Sequence, residues 1–174
     1  RARQSGVVAG KALIPMLLAR LAPSAELIEL APGPDGLAVL PGTVVARFEG
    51  PAWPILTAER TILNFLGRLS GVATLTAAYV AAVAGTSAAI YDTRKTLPGW
   101  RQLDKYAVRC GGGRNHRGGL YDAVLVKDNH LAGVVLVDLP DAARRIVHRA
   151  GRLNPRPTFI EFEVDTLEQF EALL

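Results

Sequence analysis

The sequence predicts an α/β chain in two parts, a small α+β unit followed by strands and helices in alternation. Three observations carry this. Strand-like runs separated by Pro-Gly turns occupy roughly the first fifty residues, an amphipathic helical pattern sets in at Thr57, and after Gly85 short apolar runs alternate with helical ones. Alternation of that kind implies parallel strands, in either a doubly wound sheet or a (β/α) barrel.

Each element has a local reason. Lys11 to Leu21 reads as a short helix that cannot continue into Pro23. Ala25 to Leu30 and Thr43 to Phe48 read as strands, divided by the turn signals Pro32-Gly33-Pro34-Asp35-Gly36 and Pro41-Gly42. From Thr57, Ile62, Phe65, Leu66 and Leu69 recur at i, i+3, i+4, i+7 and form one apolar face. Arg60, Asn64 and Arg68 line the other side, so Arg60 points away from its own helix's core stripe. Ser70-Gly71 predicts a bend before a second helix, Leu75 to Val83, capped by Gly85. The alternating part is then Ala88 to Tyr91 (strand), Arg101 to Cys110 (helix), Ala123 to Val126 (strand), Asp141 to Ala150 (helix), Thr158 to Val164 (strand) and Leu167 to Leu174 (helix). Val134 to Val137 fits either an extra strand or the lead-in to a helix. Along Thr158 to Val164 the period of two puts Glu161, Glu163 and Asp165 on one side, opposite Ile160, Phe162 and Val164.

With 174 residues, 49% of them apolar, the chain can build one domain with a real core, or a small domain and part of another. The longest apolar stretches are interrupted by Gly, Arg or Asn before the roughly 18 residues a membrane span needs, and no basic leader opens the chain, which predicts a soluble, cytoplasmic protein. Cys110 is the one cysteine, so no intrachain disulfide or Cys-rich metal site can form, and its place on an apolar helical face predicts a buried structural thiol.

The formal net charge is +4. Between Asp92 and His130 stand eight Lys or Arg (94, 95, 101, 105, 109, 114, 117, 127) and four Asp (92, 104, 122, 128), a surplus of four that accounts for the whole chain's. The basicity is therefore a local site and not a general polyanion surface. Nucleic acid is disfavoured, since neither a like-charge block nor spaced stacking aromatics are present. Within the surplus, Arg94-Lys95 follows a predicted strand end, Gly111-Gly112-Gly113 precedes Arg114-Asn115-His116-Arg117, and Lys127-Asp128-Asn129-His130 follows the next strand. A parallel architecture builds its site at such carboxyl ends.

Taken singly, each motif has a bland reading. An isolated Arg-Lys pair is usually a solvated loop, a triple glycine usually a helix cap, and a lone histidine usually structural. Their coincidence at strand ends points to an anion. A guanidinium fork fits a carboxylate and an ammonium fits phosphate oxygens, so the adjacent pair can serve two anionic groups. The glycines would let backbone N–H groups approach a ligand. Lys127 follows four apolar residues, where an uncompensated ammonium is costly and an anionic ligand would offset the cost.

Read together, Glu59-Arg60-Thr61, Leu63-Asn64-Phe65-Leu66, Leu69-Ser70-Gly71, Asp92-Thr93-Arg94-Lys95-Thr96, Tyr106 to Gly113, Asn115-His116-Arg117 and Val126 to His130 resemble quinolinate phosphoribosyltransferase in order along the chain. The resemblance implies an N-terminal α/β sandwich domain with a helical segment over residues 1–86. The first strands of an incomplete (β/α) barrel would then occupy 87–174. It implies an enzyme joining quinolinate to phosphoribosyl pyrophosphate with Mg2+, releasing pyrophosphate and carbon dioxide and forming nicotinate mononucleotide for NAD biosynthesis. By motif match, Arg94, His116, Arg117 and Lys127 would hold the quinolinate carboxylates, and Lys95 would contact the phosphoribosyl substrate as a catalytic residue. Arg60 would reach into the partner's site of a homodimer. Glu163, with Glu161 the weaker match, would act catalytically near the ribose and metal. The chain departs from the family pattern at Arg114 and Gly118-Gly119. A later Leu-Asp-Asn motif and a Gly-rich phosphate loop of the family have no counterpart in these residues, so the chain is expected to be a C-terminally truncated form. Two further readings stand beside the enzyme: a non-catalytic anion-binding or dimerisation fragment, and a molybdenum-associated homologue of unknown substrate.

Overall fold

The computed structural model describes residues 1–174, and contacts divide them into two compact units, Arg1–His116 and Arg117–Leu174. In the first unit β1 (Gly6–Val7) pairs antiparallel with β3 (Ala38–Val39), and β2 (Glu26–Leu30) pairs antiparallel with β4 (Ala46–Glu49). The helix α1 (Leu13–Leu21) stops at Ala22, ahead of Pro23. Its apolar side, Ile14 and Leu18, meets Ala58 and Ile62, with Leu27 and Phe48 of the β2/β4 ribbon closing the layer. The apolar spacing read from sequence thus becomes a helix-on-helix-on-ribbon core.

The predicted break at Ser70-Gly71 does not occur. A single helix, α2, runs 31 residues from Ala52 to Ala82. A glycine inside a helix costs only about 1 kcal/mol, and burial outweighs it here: Leu69 and Ala73, on either side of the expected bend, are both fully buried. Ser70 is held by bonding its hydroxyl to the Ala9 main chain, accepting from the N–H at 3.1 Å and donating to the carbonyl at 3.4 Å. The start also comes earlier than Thr57, because Pro54 lies in the first turn, where its missing N–H breaks no helical bond. An 18-residue window of α2 has mean hydropathy 1.3, long and apolar enough to cross a membrane by length and composition alone. Within the unit, however, α2 packs against α1, α3 (Arg101–Cys110) and β1.

The packing of α3 on α2 places α3 in the first contact unit. Leu69, Ala73 and Ala107 share one buried cluster with Ala9, and Phe65 stacks on Trp100 with ring centroids 5.1 Å apart. Asp104 in the first turn of α3 takes a bidentate bond from Arg68 of α2 at 3.0 Å to each oxygen. Cys110 is half-buried and not buried as expected, and its partial burial pushes the thiol up from its ordinary range.

The triple glycine turns out to be a packing device. The Gly111, Gly112 and Gly113 amides bond back to carbonyls of Ala107, Arg109 and Val108, so none of the three N–H groups is directed at a ligand. A Cβ on Gly111 would lie 2.3 Å from the Ala73 carbonyl oxygen and 2.6 Å from Thr76 Cβ. Both atoms belong to the rigid middle of α2. Gly111→Ala is therefore expected to destabilise the first unit by about 2 kcal/mol, read as a lower urea midpoint of tryptophan fluorescence, because Trp53 and Trp100 both report that unit.

The expected strand Ala88 to Tyr91 reduces to one parallel bridge between Tyr91 and Arg114, with Arg114 N–H donating to Ile90 and Asp92 N–H to Arg114. In the second unit β5 (Val124–Val126) and β6 (Ile160–Phe162) pair in parallel, joined through α4 (Leu139–Ala150). This is the predicted strand-helix-strand crossover, with β6 shorter than Thr158 to Val164. Glu161, Glu163 and Asp165 are exposed and Ile160, Phe162 and Val164 half-buried, as the period of two requires. Val134 to Val137 resolves into a 3-10 turn, Leu136–Asp138, leading into α4. The last helix, α5 (Leu167–Leu173), starts at a reciprocal cap in which Thr166 Oγ1 accepts from Gln169 N–H and the Gln169 side chain accepts from Thr166 N–H.

Candidate functional site

In the first unit the candidate residues gather where the chain leaves Tyr91. Asp92 ends the Tyr91–Arg114 bridge, and its side chain is 7% exposed. It pairs with Lys105 of α3, whose side chain is 5% exposed. Asp92 Oδ1 also accepts the His116 N–H at 2.9 Å, and Lys105 Nζ donates to the His116 carbonyl at 2.9 Å. Asp92, Lys105 and the His116 main chain thus form one cluster around Asp92 Oδ1, with Asp92 Oδ2 buried and unpartnered.

Arg94 sits two residues further on, half-buried, with its Nε buried and unpartnered. Its carbonyl accepts from Thr96 N–H at 3.0 Å, which tightens the loop, and Lys95 N–H donates to Thr93 Oγ1 at 3.1 Å. The Lys95 side chain is exposed and makes no ion pair. A half-buried guanidinium beside an exposed ammonium on a short, internally bonded turn can present two different cations to an anionic ligand. Arg60 is exposed on α2, as its helical phase predicts, and has no ion-pair partner within the chain.

In the second unit Lys127 follows β5 directly and is half-buried. Its ammonium has a protein counter-charge that the sequence reading did not foresee, Glu163 at 2.6 Å. The parallel register explains the meeting: Val126 lies opposite Phe162, so the next residue on each strand is Lys127 and Glu163, and Glu163 N–H continues the ladder to the Val126 carbonyl at 2.8 Å. Lys127 N–H is accepted by His130 Nδ1 at 2.9 Å, which ties the Lys-Asp-Asn-His motif into a 3-10 turn. Arg117 is half-buried, and the following Gly118 and Gly119 donate their N–H groups to Asp122.

For a divalent cation, no three carboxylate, imidazole or thiolate groups come together closely enough to enclose it. Asp128, Glu163 and Asp165 do line one cavity of about 200 Å³ in the second unit. Mg2+ commonly binds through one or two carboxylates plus substrate phosphates, and that acidic rim fits such shared coordination.

The residues that sequence reasoning missed are Lys105 and the role of Asp92. The available signal was an aspartate inside a basic surplus, which needs a partner once buried. Which of several cations it chooses depends on the return of the chain at His116.

Two family models cover the chain. The N-terminal domain of quinolinate phosphoribosyl transferase matches residues 1–70, and the C-terminal domain of the same family matches residues 72–174. A nicotinate-nucleotide pyrophosphorylase (carboxylating) from Mycobacterium leprae is 51% identical over 140 residues, covering 80% of this chain and 47% of that protein. A probable nicotinate-nucleotide pyrophosphorylase (carboxylating) from Bacillus subtilis is 41% identical over 175 residues, covering 99% of this chain and 57% of that protein. Among solved structures, NadC from Streptococcus pyogenes superposes with a TM-score of 0.84 at 36% identity, over 99% of this chain and 58% of that one. The chain spans about half the length of the curated relatives it matches.

Proposed function

The chain belongs to the quinolinate phosphoribosyltransferase family, and from that premise we propose that it carries substrate-binding residues of an enzyme that transfers phosphoribosyl to quinolinate with decarboxylation. The observation that carries the reading is the match of both family domains, in order, along the chain. The relatives' names favour it over a molybdenum-associated homologue or a non-catalytic fragment.

Quinolinate presents two adjacent carboxylates, and the resemblance assigns them to Arg94, His116, Arg117 and Lys127. The half-buried Arg94 supplies a guanidinium for them, its Nε lying buried without an internal partner. Lys95, exposed and unpaired, takes the phosphoribosyl substrate's phosphate oxygens. As the bond from the ribose carbon to pyrophosphate breaks, positive charge develops at that carbon, and the Glu163 carboxylate, oriented by Lys127, stabilises it. The ring nitrogen supplies the electron pair for the new bond. The resulting cationic nitrogen stabilises by its charge the electron pair left at the adjacent carbon when carbon dioxide departs, and a proton from solvent, admitted after that step, fills the position. Arginine and lysine contacts hold the carboxylates and exclude water; no side chain acts as a nucleophile. Mg2+, with Glu163 as its protein contact, would neutralise the departing pyrophosphate when bound.

Arg60 extends from α2 toward the site of a second copy in this reading. Support comes from its exposure without an ion pair and from the exposed Trp53, Leu56, Leu63 and Tyr79 on the same helix. The location is proposed as cytoplasmic, which suits a single cysteine and no disulfide framework. The reaction is tested by giving the protein that carries this chain phosphoribosyl pyrophosphate, Mg2+ and quinolinate labelled with 13C in the carboxyl next to the ring nitrogen. Labelled carbon dioxide in step with pyrophosphate is expected. Folded protein that binds quinolinate and releases neither would overturn the assignment.

A further inference from the structure

We propose that the buried Asp92–Lys105 pair is a clamp that fixes the main chain of His116, making Lys105 a positioning residue for substrate recognition; this rests on the reading that His116 contacts quinolinate.

One oxygen of Asp92 makes all of its contacts here, while Oδ2 is buried without a partner. Two main-chain bonds stitch residues 90–92 to Arg114, at 2.8 Å and 3.1 Å, and set the register of the two segments. That ladder ends two residues short of His116. The clamp continues it with side chains: Asp92 Oδ1 receives the His116 N–H and Lys105 Nζ bonds the His116 carbonyl, so the donor and the acceptor of one residue are both held. Both bonds involve an ionised partner and are stronger than neutral ones. The two charges also pair directly with each other.

The base of the clamp is rigid. Lys105 sits in the middle of α3, next to Asp104, which Arg68 bonds bidentately from α2, while Ala107 packs on Leu69 and Ala73. Lys105 is therefore tied to the core of the unit, and His116 inherits that fixed position although it lies beyond a glycine turn. A buried ion pair adds little net stability, whereas breaking one is costly, so a pair kept at this point serves placement better than stability.

The test is a double-mutant cycle read by isothermal titration of quinolinate into the chain and its Lys105→Met, His116→Ala and doubly substituted forms. Lys105→Met is expected to weaken binding about tenfold with His116 present, and less than about twofold further once His116 is alanine. Equal weakening in both backgrounds, or none in a folded Lys105→Met chain, would overturn the clamp. A second measurement decides the matter should the substituted chain fail to fold, or should the unsubstituted chain bind no quinolinate, which would count against the proposed function alone. Hydrogen exchange of the unsubstituted chain is expected to show the His116 amide slowed by about a hundredfold or more relative to an open chain. Exchange of that amide at the open-chain rate would refute the proposal.

Discussion

Arg94→Ala is expected to weaken quinolinate binding about a hundredfold, close to 3 kcal/mol, with little change in stability. The size follows from the chemistry of the contact. A guanidinium bonded bidentately to a carboxylate in a partly desolvated site contributes more than an exposed ion pair, and no neighbouring lysine reproduces its planar fork. The neutrality toward folding follows from the structure. The Arg94 Nε is buried and unpartnered, so alanine removes an unsatisfied donor and breaks no internal side-chain bond of that atom. Titration calorimetry and a thermal melt on the same sample separate the two. A fall in stability that matches the fall in affinity would mean that Arg94 is part of the scaffold.

Leu69→Ala carries the largest expected effect on the fold, a loss of about 3 to 4 kcal/mol. Leu69 is one of the two largest fully buried side chains, enclosed by Ala9, Ala73 and Ala107 with Val7, Leu13 and Leu103 around them. Ala73 and Ala107 are already small and sit on the backbones of two helices, and Ala9 lies on the segment before α1, so these side chains around Leu69 cannot close over the lost volume. Urea unfolding followed by tryptophan fluorescence should show a lower midpoint with an unchanged slope. A loss below about 1 kcal/mol would mean that α3 moves in to fill the space.

Much of the fold was legible because local pattern and final environment agree. α3 has the predicted bounds, Arg101 to Cys110, and α1, α5 and β5 lie within a residue or two of theirs. The failures have one cause, tertiary packing overriding a local signal. Ser70-Gly71 reads as a bend, yet the burial of Leu69 and Ala73 carries the helix through it. Ala88 to Tyr91 has the composition of a strand but finds only Arg114 to pair with. Gly111 to Gly113 looks like a ligand-facing loop until α2 is placed behind it.

At the candidate site, residue types and their position after strands were readable, and Arg94, Lys95, His116, Arg117 and Lys127 could be named from motif and spacing. The pairings were not. Asp92 with Lys105 and Lys127 with Glu163 join residues 13 and 36 positions apart, and both depend on a register that only the assembled chain defines. Charge counting could show that four aspartates lie within the basic stretch, and could not show which cations they leave for a ligand.

In the proposed function, this chain's cationic loops recognise a pair of adjacent carboxylates. The most direct measurement compares quinolinate with nicotinate, which carries one carboxylate, by titration calorimetry on the unsubstituted and Arg94→Ala chains. Quinolinate is expected to bind at least about tenfold tighter, and Arg94→Ala to erase most of that preference. A folded chain that binds both compounds equally, or prefers quinolinate just as strongly without Arg94, would contradict the account.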